Sequence, residues 1–203
     1  MKIICIGRNY PAHIKELEHE LPAEPVFFLK PETALLRSNR PFYIPDFTQE
    51  LHYELEIVIK ICKVGKCIGE KFAHTYWDEI GLGIDFTARD LQRKQSEKGL
   101  PWEIAKAFDN SAPVSRFIPK SQFTDPGNID FHLDLNGKTV QKGNTNEMIF
   151  SIDRLISYVS RFFTLKHGDM IFTGTPSGVG PVKIGDFLEA YLGDKKMLWC
   201  RIK

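Results

Sequence analysis

The sequence predicts an α+β fold that is mainly β, with short helices at its periphery. Three observations carry that expectation. Apolar and β-branched residues recur with a period of two in several short runs. Stretches with helical periodicity are few, short and mostly polar. The dipeptide Asn136-Gly137 sits between two alternating segments, a strong signal for a type I′ hairpin.

In chain order, KIICIG (2–7) reads as the first strand and PVFFLKP (25–31) as another. In HYELEIVIKI (52–61), Leu55, Ile57, Ile59 and Ile61 share one face, and Glu54, Glu56, Val58 and Lys60 share the other. FHLDLNGKTVQKG (131–143) holds the hairpin, and DMIFTG (169–174) is a short strand. DFLEAYLGDKKMLWCRIK (186–203) turns at Gly193-Asp194 and returns. Three helices are predicted. AHIKELEHEL (12–21) is charged and bounded by Pro11 and Pro22, and TARDLQRKQSEKG (87–99) is polar and closed by Gly99. SIDRLISYVSRFFTL (151–165) has Ser151 as N-cap and Ile152, Leu155, Ile156, Val159 and Phe163 on one stripe.

At 203 residues, with no linker, repeat or low-complexity segment, the chain is read as one domain with a sizeable core. Its 27 basic and 26 acidic side chains leave a formal net charge of +1, which gives no footprint for nucleic acid or an anionic membrane. No apolar run approaches the ~20 residues needed to span a bilayer. The start, MKIICIGRNYP, has neither a signal-length apolar stretch nor an Arg/Ser-rich leader, so a cytoplasmic location is expected. Cys62 and Cys67 flank KVGK, which looks like a hairpin turn around Gly65 that would let them face each other. With no second Cys or His pair at metal-ligand spacing, all four cysteines are read as reduced, mostly buried thiols.

Several patterns fail. His19-Glu20 lacks the second histidine of a zincin, GLGIDF has Phe86 where a dinucleotide fingerprint needs glycine, and GTPSGVGP has no G-K-[ST]. Ser177 lacks the flanking glycines of a nucleophile elbow.

A smaller set of polar residues survives. Glu54 and Glu56 on one strand face repel unless a cation or water screens them, so the choice is a solvated strand edge or a divalent-metal site. Asp85 follows an apolar run and precedes a helix, as a third oxygen ligand or an ordinary helix cap. Three carboxylates without a soft ligand favour Mg²⁺ or Mn²⁺. His13 and Glu16, three apart on a helix, form either a general base with its orienting carboxylate or a surface pair. Lys106, between Trp102, Ile104 and Phe108, either aims at an anion or snorkels to solvent.

These pieces in series resemble the fumarylacetoacetate hydrolase family, through the blocks GRNYPAHIKE, FLKP, HYELE, GIDFTARDLQ, GLPWEIAKAFD, NEMIFSI and GDMIFTGTPSGVGP. Within it the chain looks most similar to the acylpyruvate hydrolase/oxaloacetate decarboxylase branch. The resemblance implies a mixed β-sandwich roll, dimeric, with residues 1–203 as one catalytic domain. It implies Mg²⁺ or Mn²⁺ on Glu54, Glu56 and Asp85, and a catalytic His13–Glu16 dyad on a helix that closes over substrate. It places Lys106 against the substrate and Thr175 at its carboxylate, with Arg89 and Gln92 lining the pocket and Arg8 structural. The implied reaction breaks the C3–C4 bond of a small 2-oxo acid, an acylpyruvate or oxaloacetate, and releases pyruvate through an enolate that the ion stabilises. Isomerisation of 2-hydroxyhepta-2,4-diene-1,7-dioate and hydrolysis of fumarylpyruvate are the alternatives on the same fold. A non-catalytic metal- or ligand-binding protein is the alternative of another class, against which the complete polar set argues.

Overall fold

The computed structural model describes residues 1–17 and 20–203. Its largest element is a six-stranded sheet in the order Val26–Lys30, Ile3–Gly7, Met170–Phe172, Leu55–Ile61, Trp77–Ile84 and Ile118–Pro119. Only the pair Ile3–Gly7 and Met170–Phe172 runs parallel; the other neighbours are antiparallel. A second, antiparallel sheet has the order Lys138–Asn144, Asp130–Leu135, Phe187–Leu192 and Lys195–Arg201. Its first hairpin turns through Asn136 and Gly137 at φ 53° and 79°, the two left-handed residues a type I′ turn requires.

The core forms where these sheets meet. Ile57, Ile59 and Ile80 of the large sheet join Phe131, Leu133, Leu188 and Leu198 of the small one. The helix Ile152–Ser160 adds Leu155, Ile156 and Val159. The other face of the large sheet is also covered: Ile3, Cys5, Val58, Met170 and Phe172 pack with Ala34, Ala112 and Val114. The mainly β sandwich with short helices is thus the expected architecture. Coverage of both faces is what places Glu56 in the interior. No helix among the described residues is long and apolar enough to cross a membrane.

The helices are shorter than their patterns. Thr87–Ala88 pairs as a strand with Leu51–His52, so the polar helix starts at Arg89 and runs to Glu97. Ser151 caps the next predicted helix through Arg154 N–H, as expected. That helix ends at Ser160 because Arg161 and Phe162 donate to carbonyls three residues back, which tightens the last turn. The first helix spans Pro11–Glu16, with proline at its start. Glu18 and His19, within the 12–21 pattern, lie outside the described residues.

The KVGK hairpin does not form. Gly65 exchanges backbone hydrogen bonds with Leu165, and Cys67 N–H donates to the Ser160 carbonyl, so the segment is stitched to the end of the Ile152–Ser160 helix and the chain just after it. Cys5 and Cys200 are buried, but Cys62 is half-buried and Cys67 exposed.

Candidate active site

The antiparallel pairing of Leu55–Ile61 with Trp77–Ile84 puts Leu55 opposite Ile84, so the residues just beyond both strand ends meet. Asp85 N–H donates to the Glu54 carbonyl at 2.8 Å. One carboxylate oxygen from each of Glu54, Glu56 and Asp85 lies within 4.8 Å of the others, and all three residues are buried. The solvated-edge reading of Glu54 and Glu56 is therefore overturned. Nor is Asp85 a helix cap, since the Arg89–Glu97 helix has Ala88 at its N-cap and no side-chain cap.

The electrostatics of the three carboxylates differ. Burial pushes Glu54 up, but the ammonium of Lys106 and the guanidinium of Arg89 outweigh it and hold its carboxyl far below the usual range. Burial, with Asp85 and Glu54 beside it, pushes Glu56 well above the ordinary value, although Gly174 N–H donates to it at 2.7 Å. Asp85 Oδ1 is buried and accepts no hydrogen bond, even though Lys30 Nζ lies 2.8 Å away out of line. Three buried carboxylates that converge with no sulfur or nitrogen ligand among them fit a hard divalent cation such as Mg²⁺ or Mn²⁺.

Lys106 is buried rather than snorkelling. Its ammonium donates to Glu54 Oε2 (2.8 Å), Asp85 Oδ2 (2.9 Å) and Thr87 Oγ1 (2.6 Å). Burial works against its charge, and Asp85 and Glu54 more than restore it. Arg89 reaches the other oxygen of Glu54 at 2.5 Å and also donates to Gln92 Oε1.

His13 reaches the same cavity from the Pro11–Glu16 helix. Its Nδ1 lies 3.0 Å from Glu16 Oε2; the imidazole is only 7% exposed, whereas Glu16 is exposed, so the pair has its histidine inside the cavity and its carboxylate at the rim. Glu16 Oε1 accepts the Gly178 N–H at 3.0 Å, tying the helix to the glycine-rich segment. Thr175, in that segment, is buried and its hydroxyl accepts from Gln141 Nε2 at 2.9 Å.

All nine residues singled out from the sequence, His13, Glu16, Glu54, Glu56, Asp85, Arg89, Gln92, Lys106 and Thr175, line one cavity of about 460 Å³. Arg8, assigned a structural part, lines it too. Sequence reasoning missed three contributors. Lys30, whose side chain is wholly buried, donates to the carbonyls of Phe86, Lys106 and Ser111. Gln141 accepts Leu55 N–H at 2.8 Å while holding Thr175 and the Pro176 carbonyl. His52 lines the cavity between Arg89 and Glu50. Lys30 ends an apolar strand and stands in the block FLKP, the signals that could have found it; Gln141 carries none.

A family model described as fumarylacetoacetate (FAA) hydrolase C-terminal matches residues 2–202. The chain belongs to the fumarylacetoacetate hydrolase family. It is 47% identical over 188 residues to the mitochondrial oxaloacetate tautomerase of Bos taurus, covering 93% of this chain and 85% of that one. To the mitochondrial oxaloacetate decarboxylase of Dictyostelium discoideum it is 46% identical over 189 residues, 93% and 87% of the two chains. The crystal structure of fumarylpyruvate hydrolase from Pseudomonas aeruginosa, in complex with Mn²⁺ and pyruvate, matches with a TM-score of 0.94 at 38% identity, covering 100% of this chain and 89% of that one.

Proposed function

We propose that this chain is a divalent-metal-dependent enzyme that cleaves the C3–C4 bond of small 2-oxo acids, acylpyruvates or oxaloacetate, and releases pyruvate. The observation that carries the reading is that the His13–Glu16 pair and the three buried carboxylates open into the same cavity. The activities of its relatives support the substrate class. The family resemblance supports a homodimer of this one catalytic domain.

Glu54, Glu56 and Asp85 would hold Mg²⁺ or Mn²⁺, which when bound supplies Lewis-acid polarisation of the substrate's 2-keto oxygen and C1 carboxylate. Thr175 orients that carboxylate through its hydroxyl and backbone N–H, and Arg89 and Gln92 wall the pocket. Glu16 holds Nδ1–H of His13, leaving Nε2 to take a proton from water. The resulting hydroxide attacks the C4 carbonyl of an acylpyruvate, and Lys106 offsets the charge that develops on the C4 oxygen. When the C3–C4 bond breaks, His13 returns the proton to C3, giving pyruvate and a carboxylic acid. With oxaloacetate no water is needed, because CO₂ departs and C3 is protonated.

A second reading is tautomerisation of oxaloacetate. It is favoured by the Bos taurus relative and by the His13–Glu16 pair, which can move a proton at C3 without breaking a carbon–carbon bond. The test is parallel assay of acetylpyruvate cleavage, pyruvate release from oxaloacetate and decay of enol-oxaloacetate absorbance, each against metal-only blanks. Pyruvate release that EDTA abolishes supports the cleavage reading. Enol decay without pyruvate selects tautomerisation, and silence in all three assays sinks both.

A further inference from the structure

Four arginine or lysine side chains line the cavity: Arg8, Arg89, Arg93 and Lys106. Three already have carboxylate partners in the protein. Arg89 pairs with Glu54, Lys106 with Glu54 and Asp85, and Arg93 with Glu50. Arg8 alone of the four has no carboxylate partner among the described residues. A guanidinium at a cavity wall with no carboxylate partner among the described residues is suited to a ligand carboxylate, which its planar fork can bind through two parallel hydrogen bonds.

The backbone presents Arg8 for this. It adopts φ 59°, a left-handed conformation uncommon for a long side chain. The neighbouring Asn9 over-determines that conformation. Asn9 Nδ2 donates to the carbonyls of Phe150 (3.1 Å) and Thr173 (2.8 Å), and its Oδ1 accepts Phe150 N–H at 2.8 Å. A strained residue pinned in this way at a cavity wall points to a use for its side chain.

Its place along the chain suggests which end of a substrate it meets. Arg8, in the connection that follows the strand Ile3–Gly7, and His13, in the helix Pro11–Glu16 that the connection leads into, reach the cavity from one short stretch of chain. Glu54, Glu56 and Asp85 enter from the ends of other strands. A substrate whose 2-oxo acid end faces those carboxylates would turn its far end toward His13 and Arg8. There a second carboxylate meets an uncommitted cation, whereas an alkyl end would leave that cation unpaired.

We propose that Arg8 is a specificity-determining residue that receives the carboxylate at the far end of the substrate, so that the site favours 2-oxo diacids over 2-oxo acids ending in an alkyl group. This rests on the orientation proposed above for the near end.

The test uses two unreactive ligands of equal length, 2-oxopentanedioate and 2-oxopentanoate, titrated calorimetrically into the Mn²⁺-loaded protein. Wild type should bind the diacid about tenfold or more tightly than the monoacid, the scale of one charge-assisted contact. Arg8→Asn tolerates the left-handed backbone and should collapse that gap by weakening the diacid. Arg8→Lys, which keeps the charge but not the fork, should retain part of it. Thermal unfolding of both variants guards against a loss of fold, and Arg8→Gly serves as a second truncation. Equal affinities in wild type, no binding of either ligand, or a gap that survives in Arg8→Asn would overturn the proposal. If the same wild-type preparation turns over neither acetylpyruvate nor oxaloacetate while the gap is present and depends on Arg8, the reaction assignment fails and this one stands.

Discussion

Glu16 accepts the backbone N–H of Gly178 at 3.0 Å through one carboxylate oxygen, while its other oxygen lies 3.0 Å from His13 Nδ1. One side chain therefore both orients the candidate base and latches its helix to the glycine-rich segment. We predict that His13→Ala lowers acylpyruvate hydrolysis ~10²–10⁴-fold, the usual cost of losing a positioned base. Its Mn²⁺ affinity should stay that of wild type. Metal binding lost in that variant would put His13 among the ligands and end the assignment. Glu16→Ala should cost less activity but should speed amide exchange in Pro11–Glu16, which no simple loss of a base would do.

Metal should stabilise the fold as well as serve the chemistry. Three buried carboxylates that repel one another are relieved by a dication. A ligand present at a hundred times its dissociation constant adds ~2.7 kcal/mol of stability. Adding Mn²⁺ should therefore raise the melting temperature of wild type and not of Asp85→Asn. Equal shifts in the two proteins would place the ion elsewhere.

Lys30 is the support beneath Asp85. Its side chain is wholly buried, lies 2.8 Å from Asp85 Oδ1 and donates to Ser111 Oγ at 2.9 Å. Lys30→Met removes one partner of a buried charge pair and strips the donor from three carbonyls, so it should cost about 3–5 kcal/mol in urea unfolding. A loss below about 1 kcal/mol would mean that solvent reaches the pair and screens it.

The legibility of the site follows from how far apart its partners lie in the chain. Glu54 and Glu56 were visible because a two-residue period is local. Their burial was not, because it depends on Met170–Phe172 and Trp77–Ile84 flanking Leu55–Ile61, with a second apolar cluster over that face. His13 and Glu16 were visible as neighbours on one helix. Gln141 was invisible: its amide bridges Leu55 and Thr175, and the nearer of those is 34 residues away. The Cys62–Cys67 turn misled for the same reason, since Gly65 takes its partner from Leu165 rather than from its own segment. Helix ends were overrun wherever a strand pairing or a tightened last turn claimed the terminal residues.

The thiols should react in order of access. Burial pushes the Cys200 thiol up to about 12 and the Cys5 thiol well above its ordinary value, so neither offers appreciable thiolate at pH 8. Cys67 is exposed and Cys62 half-buried. Disulfide-exchange labelling of the native protein should modify Cys67 first and Cys62 more slowly, reaching Cys5 and Cys200 only in denaturant. Rapid labelling of four thiols in the native state would contradict the buried positions of Cys5 and Cys200.

Gly83 lies directly across the ladder from Glu56. A Cβ there would sit 2.3 Å from Phe172 Cε1 and 2.8 Å from Val58 Cγ2, both on fully buried side chains. Neither can swing away, because the Phe172 ring and Val58 belong to the packed cluster on that face of the sheet. Gly83→Ala must therefore push the Trp77–Ile84 strand outward, and overpacking of this kind costs ~1–3 kcal/mol. The displacement falls at the strand end that carries Asp85, opposite the strand that carries Glu56. A stability loss should thus come with weakened Mn²⁺ binding, although no ligand atom has been changed. Urea unfolding and calorimetric titration of the same sample check both halves. Lost stability with wild-type metal affinity would show that the carboxylates are held by their own hydrogen bonds rather than by the register of the two strands.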